Sequence, residues 1–158
     1  MSDDRGNSPF WPADNPAVMA HVSLLQGIIN RLANNSASCK AWCITLVSAL
    51  VSLAGGTHVP GIVAFALVPI TIFGFMDTMY LAQERAYRAL FTRTVESVRR
   101  GEYRLGHAFE AGAPLSVSGF GAAVLSWSIW PVYFGLIATY VVALRAGWLS
   151  ALAPLQGG

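Results

Sequence analysis

Apolar and small residues recur along the first third of the chain in alternating steps of four and three. The series begins with Val18, Val22, Leu25, Ile29 and Leu32 and continues through Ser36, Cys39, Cys43, Leu46, Leu50 and Leu53. That rhythm holds one face of a helix in register and does not break across Asn34-Asn35-Ser36, so it predicts one long rod. Asn15-Pro16 suits its start, with Asn as cap and Pro at the first helical position. From Ala41 to Met76 there is no Asp, Glu, Lys or Arg, and Gly55, Gly56, Pro60 and Gly61 divide the run into two apolar halves. Two membrane crossings, in helices over 16–54 and 60–100, fit this better than one. Val59 to Met76 spans a hydrocarbon core of roughly 30 Å at a rise of about 1.5 Å per residue. Ala41 to Ala54 is short, and it crosses if the span begins near Ala37 and Lys40 extends its ammonium back to the headgroups beside Trp42. Pro69 predicts a bend in the middle of the second span.

Past Met76 nothing stops the second helix before Gly101. Tyr80, Tyr87, Phe91, Val95 and Val98 share one face, Asp77 and Glu84 border it, and Arg85, Arg93 and Arg100 lie opposite. The apolar face predicts packing on the cytoplasmic half of the first helix or, failing that, on a neighbouring subunit. After a Gly-, Pro- and Ser-containing linker over 101–118, a third uncharged run predicts a helix over 119–148 with a kink at Pro131. Gly135, Thr139, Ala143 and Gly147 recur every fourth residue there and make a smooth ridge for a neighbouring helix. The expected fold class is therefore an all-α membrane protein: three transmembrane helices, the first two prolonged as an antiparallel helical extension in the cytoplasm.

Composition agrees, since 54% of the residues are hydrophobic and 11% charged, where a soluble domain carries about a quarter charged. Charge then orients the chain. Nine of the ten basic residues lie at or before Arg104, and the cluster Arg85, Arg88, Arg93, Arg99, Arg100 and Arg104 marks the cytoplasmic side. This places the amino terminus inside and the carboxyl terminus outside. Residues 1–15 read as a flexible cytoplasmic tail with Phe10 and Trp11 unattached, and they lack the pattern of a cleavable signal peptide. Glu84, Glu96 and Glu102 are interleaved with the arginines, which favours an internally paired, solvated face over nucleic-acid binding.

A hairpin turning near Thr57 and His58 sets residues equidistant from the turn side by side. Lys40 falls level with Asp77 and Arg31 with Glu84, which predicts two interhelical ion pairs that fix register more than they add stability. Cys39 and Cys43 lie four apart, with His21, His58 and His107 scattered, and this is packing spacing rather than metal-ligand spacing. No phosphate-binding glycine loop, paired-histidine zinc motif, nucleophile elbow or Cys-x-x-Cys occurs. No charge lies at a span's midplane, where an ion-coupled transporter needs one. Neither an enzyme nor a cofactor is expected.

The segments 23–36 and 77–87, joined by the apolar hairpin, resemble those of small bacterial membrane proteins. The layout of a membrane hairpin followed by a charged cytoplasmic helix is similar to that of SLATT-type antiviral defence effectors, although the third span departs from their two-span pattern. The resemblance implies a homo-oligomeric, channel-like effector that disturbs the bacterial inner membrane, and it carries over no functional residue. The alternative class is a membrane anchor or accessory subunit whose arginine-rich helices recruit a soluble cytoplasmic protein. In either class the lipid bilayer is a partner. Cys39, Cys43, Gly135, Thr139 and Ala143 are the expected packing positions, and Arg85, Arg93, Arg99 and Arg100 form the basic face.

Overall fold

A computed structural model describes residues 11–57, 59–104, 112–113 and 117–152. Its elements, in chain order, are α1 (Pro16–Thr57), a 3₁₀ segment (Pro60–Ala66), α2 (Leu67–Arg99), α3 (Val117–Val124) and α4 (Trp130–Leu152). Three helical stretches, Pro16–Thr57, Gly61–Arg99 and Trp130–Gly147, are long and apolar enough to cross a membrane. The most extensive packing is between α1 and α2.

α1 runs unbroken for 42 residues, roughly 63 Å at the standard rise. The Asn15 side chain starts it by accepting the Ala17 N–H at 2.9 Å. Its buried residues are Val18, His21, Leu25, Ile29, Leu32, Ser36, Cys39, Cys43, Val47 and Ala54. The buried stripe thus departs from the sequence rhythm toward the turn, where Val47 and Ala54 replace the expected Leu46 and Leu53. A strict four-three alternation averages 3.5 residues per turn, whereas a straight helix has 3.6 and drifts by about 20° per heptad. Over several turns that drift moves the inward-facing position on by one residue.

The second span also differs from expectation near its start. Residues 60–66 wind as a 3₁₀ helix, and Pro69 stands in the first turn of α2. Proline has no N–H to give the carbonyl four residues back, so the α-helical ladder begins around it instead of bending at mid-span. α2 stops in a Schellman motif: Gly101 adopts φ 70°, its N–H bonds the Val98 carbonyl at 3.0 Å, and the Glu102 N–H bonds the Ser97 carbonyl at 2.9 Å. The chain then doubles back. Tyr103 is fully buried in a small cluster with Val18, Trp11 and Val98, and its carbonyl accepts the Trp11 N–H at 2.9 Å. Trp11 is therefore held rather than unattached, while Phe10 lies outside the described residues.

The third uncharged run is two helices instead of one. α3 ends at Val124, a turn follows in which the Ser126 carbonyl accepts the N–H groups of Ile129 and Trp130, and α4 starts there. Pro131 is the second residue of α4 and begins that helix rather than kinking it. α3 lies along α2, with Phe120 against Phe75 at a ring separation of 6.0 Å.

One core cluster joins the helices. Cys43 and Val47 of α1 meet Ala66, Ile70, Leu81 and Ala82, together with Ala123, Ile129, Tyr133 and Leu136. Small residues are prominent in it, as expected where close backbone approach must replace the hydrophobic effect as the packing force. Large side chains outside it face outward, among them Trp42, Phe65, Val68, Ile72 and Phe75. Hydroxyls on these helices are satisfied locally: Thr45, Thr57, Thr71 and Thr139 each donate to the carbonyl four residues earlier. Each of these four threonines thereby keeps its donor hydrogen paired within its own helix.

Candidate functional site

The densest polar chemistry in the described chain lies where α1, α2 and α4 meet. Ser36 and Lys40 are one turn apart on α1, so both side chains reach the same point on α2, which is Asp77. The Asp77 side chain is fully buried and that of Lys40 is 18% exposed. Lys40 Nζ lies 2.7 Å from Asp77 Oδ2 and donates to Oδ1 at 2.8 Å. Ser36 Oγ donates to the same Oδ1 and accepts from Lys40 Nζ at 2.9 Å. Oδ2 receives charge contact but no well-directed hydrogen bond, so one buried carboxylate oxygen keeps unused acceptor capacity.

α4 contributes Tyr133. Its ring lies on Gly74 of α2, where an added Cβ would come within 3.4 Å of the ring carbons. The hydroxyl is enclosed beside Asp77, with Cys43 and Cys39 also near. It is close to the carboxylate but off hydrogen-bonding geometry, and it has no other partner among the described residues. Two buried oxygens without hydrogen bonds thus share one small space.

The structure brings Lys40 and Asp77 together, and it does not bring Arg31 to Glu84. Glu84 is buried and binds Arg88 one turn further along α2, at 2.7 Å, while Arg31 is exposed. Being level across a hairpin is a matter of height, whereas an ion pair also needs both side chains on the facing sides. Arg31 precedes the inward-facing Leu32 and points away. Cys39 and Cys43 are buried free thiols on the inner face of α1. Gly135 and Thr139 of α4 are exposed, with no atom within 4 Å of a Cβ built on Gly135, and Ala143 is half-buried.

The basic face is largely engaged within the chain. Arg99 and Arg100 both bond Glu96. Arg85 donates to the Ala122 carbonyl at 3.0 Å and to Ser126 Oγ at 2.7 Å, closing the carboxyl end of α3. Arg93 is exposed and makes no ion pair among the described residues. Sequence reasoning missed the Arg85 contact because it joins residues 37 and 41 positions apart across a linker that carries no register. It also missed Ser36 and Tyr133 as members of the polar junction. Ser36 could have been found from its spacing, one turn before Lys40 on the same seam; Tyr133 carried no such signal.

A second buried polar contact sits at the far end of α1, where His21 Nδ1 and the Tyr103 hydroxyl are 2.6 Å apart. No group of three or more His, Cys, Asp or Glu among the described residues is arranged to hold a metal ion. Comparison with protein-family models, curated proteins and solved structures gives no match to the chain.

Proposed function

We propose that the protein is a multi-pass protein of the bacterial inner membrane, with its amino terminus inside and its carboxyl terminus outside, that assembles with copies of itself into a channel-like effector. α1 and α2 form an antiparallel hairpin whose ends beyond Lys40 and Asp77 stand in the cytoplasm. The observation that carries self-assembly is the bare surface of α4. Only 11% of its apolar window is buried, and its small-residue ridge is exposed at Gly135 and Thr139, with nothing among the described residues within 4 Å of a Cβ built on Gly135. A ridge of this kind lets a second helix approach closely, and in lipid such packing is the main source of helix association. Disturbance of the inner membrane in a defence setting follows from the resemblance in layout to SLATT-type effectors.

Recruitment of a soluble partner by the basic helices draws less support, because Arg85, Arg88, Arg99 and Arg100 already have acceptors within the chain. The decisive measurement combines particle mass in mild detergent with membrane potential in cells producing the protein. An oligomer that depolarises the membrane supports the reading. A monomer that leaves the potential unchanged, with any activating partner present, replaces it with the anchor reading.

A further inference from the structure

We propose that the Ser36–Asp77–Tyr133 junction is a binding site for a monovalent cation of ammonium size, potassium being the chief candidate, and that the bound cation and the Lys40 ammonium compete for Asp77. The inference stands on this geometry alone and does not depend on the effector reading.

Three oxygens converge on the Lys40 nitrogen, Asp77 Oδ2 at 2.7 Å, Asp77 Oδ1 at 2.8 Å and Ser36 Oγ at 2.9 Å. A fourth, the Tyr133 hydroxyl, is buried beside the carboxylate and makes no well-directed hydrogen bond among the described residues. This is an all-oxygen shell around a cationic centre, and a potassium ion is close to an ammonium group in size. The Asp77 carboxylate has zero exposure, so it cannot stand ionised without a positive partner. Lys40 is the partner able to leave, because its side chain is partly exposed and its flexible stem can carry the ammonium out to water. The Tyr133 oxygen lies buried beside Asp77 and accepts no hydrogen bond among the described residues. A divalent cation fits poorly, since the junction holds a single carboxylate and half of the ion's charge would stay buried without compensation.

The chain supplies its own reporter, because Lys40 is its sole lysine. Acetylation of the purified full-length protein by acetic anhydride at fixed pH, read by mass spectrometry on the Lys40 peptide, measures how often the ammonium is away from Asp77. Potassium chloride should raise the Lys40 acetylation rate several-fold and saturably, while choline chloride at equal ionic strength, whose cation is too large for the junction, should leave it unchanged. Asp77→Asn should acetylate quickly in either salt. Tyr133→Phe should keep the slow rate in choline but need several-fold more potassium for the half-maximal effect. Equal acceleration by choline overturns the proposal, since that is charge screening. So does a potassium-independent rate in the unmodified protein, a measurement that requires no variant to fold. Slow acetylation of Asp77→Asn in both salts would show that the carboxylate is not what protects Lys40, and an unchanged potassium midpoint in Tyr133→Phe would remove the fourth ligand; either overturns the site as assigned.

Discussion

Asp77 shows how one side chain can govern its surroundings once it is fully enclosed. A buried carboxylate carries a desolvation cost that its counter-ion offsets only while the pair stays intact, and removing one partner typically costs about 3–5 kcal/mol. The two partners are not equivalent. Lys40→Met leaves an uncompensated charge with no route to water, whereas Asp77→Asn leaves a lysine that can extend outward and an amide that still accepts from Ser36. Lys40→Met, measured in choline chloride, is therefore expected to lower stability by about 3 kcal/mol or more, and Asp77→Asn by clearly less. The double variant should recover much of the difference, because both charges are then gone. Unfolding curves in detergent for the four proteins close this cycle.

The helices are positioned largely by their ends. Gly101 closes α2 with φ 70°, a conformation that costs a residue with a side chain about 1–2 kcal/mol. Gly101→Ala should lower stability by that amount and loosen the return of Tyr103 toward α1, which appears as faster proteolysis around residue 103. At the same tip, Tyr103→Phe leaves the buried His21 ring without its 2.6 Å partner. The expected cost is about 1–3 kcal/mol, again with earlier cleavage near Trp11, whose backbone is tied to residue 103. α3 depends on a different device. Arg85 holds its last turn through Ala122 and Ser126, so Arg85→Met, which keeps the stem and removes the donors, should release α3 from α2. Protease sensitivity between residues 117 and 130, with the α1–α2 packing unchanged, is the expected result.

For the whole molecule, membrane insertion and assembly make different demands on the same surface. α1 is about twice as long as a ~30 Å hydrocarbon core requires, so a substantial part of it must stand outside the bilayer if it crosses upright. Reporter fusions at the two termini should then report opposite sides, with the amino-terminal fusion inside. The α4 ridge offers the matching test of assembly. A Cβ added at Gly135 meets no atom within 4 Å among the described residues, so Gly135→Leu should leave the monomer's stability unchanged while reducing the mass of the solubilised particle and any loss of membrane potential.

The sequence by itself determined α1 and α2, because helix start, apolar run and glycine stop are local signals: Asn15-Pro16 opens α1, the uncharged stretch from Ala41 to Met76 sets two long apolar segments, and Gly101 ends α2. It also placed Lys40 level with Asp77, which requires only the position of the turn. Rotation was another matter. Whether a level residue faces its neighbour depends on accumulated helical twist and on which side chains win the interior, so Glu84 lies with Arg88 and not with Arg31, and Val47 and Ala54 are buried where Leu46 and Leu53 were expected. The division of the third run at Ser126, and the arrival of Tyr133 beside Asp77, were decided by tertiary structure alone. α3 and α4 follow a linker that transmits no register, and their placement rests on contacts such as Arg85 to Ser126 and Tyr133 to Gly74, which exist only after the helices have packed.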